Sequence, residues 1–374
     1  MNHRGEGRPP DEPPQLPRFG PIRQVPPDGV LRAMPGASSG TRWRTDRFGG
    51  DEDHYPNGGI WQFTARPPAS EPTSEPAADA SFSTMVKRTG VNHLGTDPVW
   101  RGRPDPADPQ WWGREAAFYE SDLATSGWAP GVRAAHCYAV DDHDGCRDVW
   151  LETVNVPATL DVCERAVAGL ARWQVATASA RHSWLSEDWI PTHVRRRDLD
   201  NARTLAHPAW PSAIERGLDP ALRDVVADRI TDPARIRQLL KGFPRVLTHY
   251  DFHNANLGLV ADKVAIIDWA YVGWGPIGHD TGHLAADVAG RELPPDKVWE
   301  VLLSAYCDAL TEAGWTGDPA VVRRATTTSN VLRLGWQIDH VLSIVEDLRD
   351  DAIPAVNARL RLFAELQASP EMMR

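Results

Sequence analysis

The stretch His249-Tyr250-Asp251-Phe252-His253-Asn254-Ala255-Asn256, followed by Asp268, brings two carboxylates, two side-chain amides and two imidazoles into one short region. Between Asn256 and Asp268 lie two apolar runs, Leu257 to Val260 and Val264 to Ile267, around Ala261-Asp262-Lys263. Short apolar runs flanking a polar turn predict a β-hairpin. A hairpin returns the chain, so Asp268 ends the second strand close to where Asn256 begins the first. One amide oxygen and one carboxylate then converge, and hard oxygen ligands with room for water and phosphate suit Mg²⁺ rather than zinc. Asp251 lies on the preceding loop, where its carboxylate can face an incoming hydroxyl. A metal site beside an aspartate is the arrangement of phosphoryl transfer, which relies on positioning and charge neutralisation.

These residues resemble the aminoglycoside phosphotransferase and choline kinase superfamily, a branch of the protein-kinase-like fold. The family pattern H-G-D-x-x-x-x-N, followed by I-D-[WF], is met at His249, Asp251, Asn256, Ile267, Asp268 and Trp269. Tyr250 stands where the family carries glycine, a substitution expected to narrow the acceptor pocket. The resemblance implies an α+β, bilobed fold: a small lobe with a five-stranded antiparallel sheet and one helix, and a larger, mostly helical lobe. It also implies transfer of the γ-phosphoryl group of ATP or GTP to a hydroxyl of a small molecule. Mg²⁺ would sit on Asn256 and Asp268, and Asp251 would orient the hydroxyl and take its proton late. By the same resemblance His249 belongs to the catalytic set, packing against the metal-binding segment and shaping the loop.

Such a fold needs a nucleotide-holding lobe upstream. Ser81 to Lys87 reads as a strand delivering Lys87, and Arg114 to Tyr119 opens a helix bearing Glu115. The resemblance makes Lys87 the contact to the α and β phosphates and Glu115 the carboxylate that holds it, with Glu120 as a competing partner. Met34 to Thr41 resembles the family's Gly/Ser-rich phosphate loop, with Gly36, Ser38, Ser39 and Gly40 letting backbone N–H groups approach the anion. Val149 to Thr153 resembles the hinge strand, whose backbone at Leu151 and Glu152 would meet the adenine edge.

The remaining residues set the frame. A chain of 374 residues has room for two lobes with a sizeable core. Its net charge of −11, with no sustained basic block, argues against nucleic acid as a partner. Four cysteines, Cys137, Cys146, Cys163 and Cys307, do not make a disulfide framework. The first residues lack an apolar leader and no run is long enough to span a bilayer, so a cytoplasmic, membrane-free protein is expected. Of 32 prolines, 14 fall in the first 80 residues, which opposes continuous regular structure there. The expected division is a Pro-rich lead over 1–30, a nucleotide-binding lobe over 31–152 with a long insertion at 49–80, and a catalytic and acceptor lobe over 153–374. Within the insertion, Gly59 to Thr64 has the composition of a strand.

Beyond that, Leu160, Cys163, Val167 and Leu170 repeat at helical spacing after a cap at Thr159, and similar patterns run through 297–313, 321–348 and 356–366. His136, Cys137, His143 and Cys146 contain zinc-ligand types, but adjacent strand residues point to opposite faces, so a hairpin is the better reading. His253 reads as a loop or pocket-rim residue, and Asp280 as a helix N-cap. Residues 280–374 carry 15 Asp and Glu against 9 Lys and Arg. That surplus favours a cationic or amino-sugar acceptor, while Tyr250 and Trp336 would suit a nucleoside or sugar. The alternative to an enzyme is a catalytically silent nucleotide- or ligand-binding protein that kept the fold.

Overall fold

Alternation along the first strands decides which side chains enter the core. Phe63 and Ala65 are buried while Gln62 and Thr64 are only partly so, the period of two that a pleated strand imposes. A computed structural model describes residues 22–34, 41–49, 57–66, 82–90, 102–143, 145–155, 158–187, 189–190, 192, 204–229, 238–289 and 292–368. A short helix α1 (Asp28–Ala33) is followed by β1 (Arg42–Gly49), β2 (Asn57–Arg66) and β3 (Ser83–Gly90), then α2 (Arg114–Glu120), β4 (Val132–Ala134), β5 (Cys137–His143) and β6 (Cys146–Glu152). Five of these strands form one antiparallel sheet in the order β1-β2-β3-β6-β5. The strand expected at 59–64 is the centre of β2. The phosphate-loop residues Gly36, Ser38, Ser39 and Gly40 lie outside the described residues, as do residues 1–21, 50–56 and 67–81.

The two faces of the sheet carry different partners. Val30 and Met34, in and just after α1, pack with Phe63, Val86 and Trp150 on one face. Ala116 of α2 packs with Val149 and Leu151, which alternate with Trp150 and so occupy the other. Lys87 is in register with Val149 and Met85 with Leu151, which places Lys87 on the α2 face. Arg88 therefore points the opposite way, where both its Nε and Nη2 meet Asp148 at 2.7 Å and His143 lies 2.8 Å from the same carboxylate. His143 is thereby engaged at one end of the β5–β6 hairpin while Cys137 lies at the other. No cluster of three His, Cys, Asp or Glu able to hold a metal occurs among the described residues.

The second half is mostly helical: α3 (Leu160–Ala176), α4 (Trp210–Glu215), α5 (Ala221–Arg229), then four short strands β7 (Arg245–Thr248), β8 (Leu257–Val260), β9 (Lys263–Ile266) and β10 (Gly273–Pro276), then α6 (His279–Val288), α7 (Pro295–Glu312), α8 (Pro319–Ser343) and α9 (Ile353–Ala368). Thr159 caps α3 as expected, its hydroxyl accepting from the Val162 N–H at 3.4 Å. The buried stripe of α3, including Val162, Ala166, Leu170 and Trp173, shares one core with Leu302, Tyr306 and Leu310 of α7. The expected helix over 321–348 stops at Ser343, beyond which the chain continues through 3-10 turns at 345–347 and 350–352. No helix among the described residues is long and apolar enough to cross a membrane.

One strand departs from the expected division. β4 lies inside the segment assigned to the nucleotide lobe, yet it pairs in parallel with β9, Val132 with Val264 and Ala134 with Ile266, in the sheet β4-β9-β8. Helix α3 reaches it only because residue 169 is glycine; a Cβ there would lie 2.5 Å from the Val132 side chain. Aromatic rings continue the join: Phe118 of α2 stacks on Trp269 at 4.2 Å, and Trp128 stacks on Trp173 at 5.1 Å.

Candidate active site

Lys87 leaves β3 towards α2 and meets two carboxylates. Its Nζ is 2.7 Å from Glu115 Oε2 and 2.6 Å from Asp268 Oδ1. Burial opposes the ammonium charge, but Asp268 and Glu115 together hold the Lys87 pKa above the ordinary lysine value. Burial raises the Glu115 carboxyl, and the neighbouring lysine opposes that rise. Glu120, the competing partner, is half exposed and pairs with Arg147 at 2.9 Å instead. Five residues turn the helix by roughly 140°, so only one of the two glutamates can face Lys87.

The hairpin brings the second group together. Residues 257–260 and 263–266 pair, Leu257 with Ile266, across a turn in which Ala261 takes φ 55°. The Ile267 N–H donates to the Asn256 carbonyl at 3.0 Å, which holds Asp268 beside Asn256 as the spacing anticipates. Asn256 Nδ2 donates to the Asp251 backbone carbonyl at 2.8 Å and lies 3.3 Å from its carboxylate. With the amide N–H groups spent on Asp251, Oδ1 is the atom left for a cation. An amide oxygen and the Asp268 carboxylate make a hard, two-ligand donor set with positions to spare for phosphate and water, which fits Mg²⁺.

His249 is fully buried and uses both ring nitrogens. Nδ1 accepts from the Asp251 N–H at 3.2 Å and Nε2 donates to the Ile267 carbonyl at 2.9 Å. Burial pulls its pKa down to about 4, so near pH 7 the ring is neutral, as this pair of bonds requires. It ties the Asp251 loop to the strand leading into Asp268 and has no lone pair left for a substrate. His253 sits at the rim, 3.6 Å from Asp251 Oδ2 and 3.1 Å from Asn256 Nδ2. Burial lowers its pKa, but contact with Asp251 more than compensates and leaves it raised.

Two anchoring residues escape sequence reasoning. Asp280 is not the N-cap of α6; Gly278 is, at φ 80°. Its buried carboxylate instead accepts from the His249 N–H at 2.7 Å and the Tyr250 N–H at 2.9 Å. Asp287, seven residues on and so on the same helix face, accepts from the Asn254 N–H at 3.0 Å. One face of α6 thus holds the loop at three backbone groups. The available signal is two aspartates at heptad spacing in a helix whose other residues carry no carboxylate. Replacing Asp280 by Asn puts an amide N–H against one of two buried donors, so the unfolding free energy should fall by about 1–3 kcal/mol. Urea denaturation measures this, and an unchanged midpoint would remove Asp280 from the account.

Tyr250 also corrects an expectation. Its backbone takes φ 68°, the conformation that explains a glycine at this place in the family pattern. A side chain there costs about 1–2 kcal/mol. The ring is buried, stacks on Trp189 at 4.7 Å and donates its hydroxyl to the Trp274 carbonyl at 2.8 Å, which offsets that cost. Gly275 makes the room, since a Cβ there would lie 2.4 Å from the Tyr250 hydroxyl. Tyr250 is therefore core beneath the loop rather than the wall of an acceptor pocket. The Trp336 side chain lies outside the described residues. Of the acidic residues that follow α8, Asp350 and Asp351 are exposed and pair with Arg216 and Arg349, and Glu346 accepts from Ser212.

A cleft of about 330 Å³ opens on Lys87, Glu115 and Asp268 at its charged end, with Ile60 and Met85 on the sheet side and 151–155 along its edge. Leu151 and Glu152 line it, but much of their polar capacity is committed: the Leu151 carbonyl accepts from Thr84 at 2.7 Å and the Glu152 N–H donates to His136 at 2.9 Å. The Glu152 carboxylate is held by Arg133. Thr153 and Val154 also line the cleft, and among the described residues their backbone groups enter no hydrogen bond.

The sequence pattern of the phosphotransferase enzyme family matches residues 128–318, which include β4, the Asp251 loop, the hairpin and α6. The chain belongs to that family. Among solved structures, an amicoumacin kinase in complex with AMP-PNP, Ca²⁺ and Ami is 12% identical, with 87% of this chain and 88% of that one covered at a TM-score of 0.51. A choline/ethanolamine kinase family protein from Mesorhizobium loti is 15% identical over 92% and 94% of the two chains, TM-score 0.45. A thermostable mutant of an aminoglycoside phosphotransferase, in ternary complex with AMP-PNP and hygromycin B, is 11% identical over 90% and 97%, TM-score 0.45. At these identities the likeness is one of fold. No curated protein matches the chain.

Proposed function

We propose that this protein is a small-molecule kinase that moves the γ-phosphoryl group of ATP, or of GTP, to a hydroxyl of an antibiotic-like, amino-sugar or sugar-like metabolite. The observation that carries the reading is the convergence of Lys87, Glu115 and Asp268, drawn from distant parts of the chain, on one cleft of nucleotide size, with Asn256, itself bonded to Asp251, hydrogen-bonded to the residue before Asp268. In this reading residues 31–152 supply the nucleotide lobe after a lead over 1–30, residues 153–374 supply the catalytic and acceptor side, and β4 crosses between them. The base lies against Ile60, Met85 and Ile267 with its edge on Thr153 and Val154. Lys87, held by Glu115, takes the α and β phosphates. Gly36, Ser38, Ser39 and Gly40 would cover them.

Asn256 and Asp268 hold Mg²⁺, which when bound neutralises charge on the transferred phosphoryl oxygens. Asp251 accepts a hydrogen bond from the acceptor hydroxyl, fixes its line of attack and takes its proton as the new P–O bond forms. His249 and Asp280 keep that carboxylate in place without exchanging protons themselves. Because the reaction consumes nucleoside triphosphate, the expected location is the cytoplasm.

A coupled assay of ATP and GTP consumption across aminoglycosides, nucleoside antibiotics, free sugars and choline-type alcohols, with products identified by mass spectrometry, tests this. A phosphorylated small molecule is expected. Nucleotide binding without turnover on any acceptor would favour a silent binding protein, and phosphorylation of a peptide library alone would overturn the reading.

A further inference from the structure

Arg114, the residue before Glu115, is fully buried, an uncommon place for a guanidinium. Among the described residues its hydrogen-bond partners are all backbone carbonyls. Nη2 donates to Asp108 at 2.6 Å and Pro106 at 3.3 Å, in the loop leading into α2. Nη1 donates to Trp184 and, at 3.4 Å, to Val272, both in the large lobe. Burial pulls the Arg114 pKa down to about 10, with the Asp108 carboxylate opposing. An apolar residue would fill the same volume at less desolvation cost. Only a planar fork with several donors can collect carbonyls from three separate segments.

The placement of those carbonyls is what matters. Val272 follows Asp268 by four residues, and between them Trp269 receives the ring of Phe118, one turn along α2 from Arg114. Trp184 lies beside Ser186, whose carbonyl accepts from the Trp274 N–H at 2.8 Å, so the two large-lobe carbonyls belong to one hydrogen-bonded ledge. Helix α2 is therefore fastened on both sides of Glu115 to the segment that bears Asp268. Glu115 and Asp268, which face the same ammonium, cannot drift apart while Arg114 and Phe118 hold.

We propose that Arg114 is a positioning residue for the nucleotide site: it clamps α2 to the Trp184–Val272 ledge, so that Glu115 stays on Lys87 before any nucleotide arrives. The inference rests on the phosphotransferase reading only in giving Lys87 a phosphate to hold. Arg114 touches no reacting group and acts through Glu115 alone. A lysine at 114 is too short and carries too few donors to reach both the 106–108 loop and the ledge.

The test uses the full chain, with Arg114→Lys, Glu115→Gln and the double variant, a fluorescent ATP analogue as probe, and amide hydrogen exchange over residues 114–120. Arg114→Lys should weaken analogue binding about tenfold, the scale of losing hydrogen bonds from a charged donor. It should also speed exchange in α2 while urea denaturation still shows one cooperative transition. In the Glu115→Gln background the same change should cost less than about twofold, because residues acting as a unit are not additive. Equal losses in both backgrounds, or unchanged α2 exchange, would overturn the clamp. Arg114→Met gives a second reading of the exchange measurement, and restored protection there would also count against it. A wild-type chain that binds the analogue but phosphorylates nothing defeats the kinase reading and leaves these two readouts to decide the clamp.

Discussion

Asp251→Asn is expected to bind nucleotide as tightly as the unsubstituted chain while phosphoryl transfer falls by at least about a hundredfold, the range for losing a general base and positioning group. The substitution is nearly isosteric. It keeps the Asp251 backbone carbonyl on which Asn256 Nδ2 rests and the N–H that meets His249. The loop and the cation position are therefore preserved, and only the carboxylate that receives the hydroxyl proton is lost. Single-turnover transfer checks this with saturating nucleotide and the acceptor found in the panel. A mutant rate equal to that of the wild type would remove Asp251 from the chemistry.

Asp268→Asn should instead abolish most of the Mg²⁺-dependent gain in ATP affinity, by at least about a hundredfold, the scale of removing one partner from a buried charged set. Asparagine is the informative replacement because Asp268 takes φ 63°, a left-handed backbone conformation that Asn adopts more readily than Ala. The variant separates loss of charge from loss of shape. Lys87 keeps Glu115 as its partner, so the protein should still fold and still bind ATP weakly without metal. Titration calorimetry with and without Mg²⁺ gives the two affinities, and an undiminished metal increment would show that the cation is held elsewhere.

How far the sequence can be read depends on how local the cause is. The hairpin from Leu257 to Ile266 is legible because two short apolar runs and a polar turn suffice to specify it, and with it comes the approach of Asp268 to Asn256. The cap at Thr159 and the helices of the second half are legible for the same reason. Lys87 is anticipated by a strand ending in a basic residue, but choosing Glu115 over Glu120 requires the rotation of α2 about its axis, which composition does not encode. Asp280 is misread and Asp287 passed over because their partners lie some thirty residues back in the chain. Tyr250 is misread because burial is a property of Trp189, Tyr271 and Leu240 around it, not of its own neighbours in sequence. Helix α1 is missed because prolines dominate its surroundings, whereas Pro27 merely starts it.

The parallel pairing of β4 with β9 bears on how the molecule is made. A ribosome releases Val132 to Ala134 long before Val264 to Ile266, so this strand has no edge to join while the rest of its own lobe is already outside. Nucleation of the five-stranded sheet can proceed, but the aromatic seam of Phe118, Trp128 and Trp269 stays open until the hairpin arrives. Severing the chain after Glu152 would accordingly yield a first fragment with an orphaned strand and an uncovered aromatic face, dependent on its complement or on a chaperone for solubility.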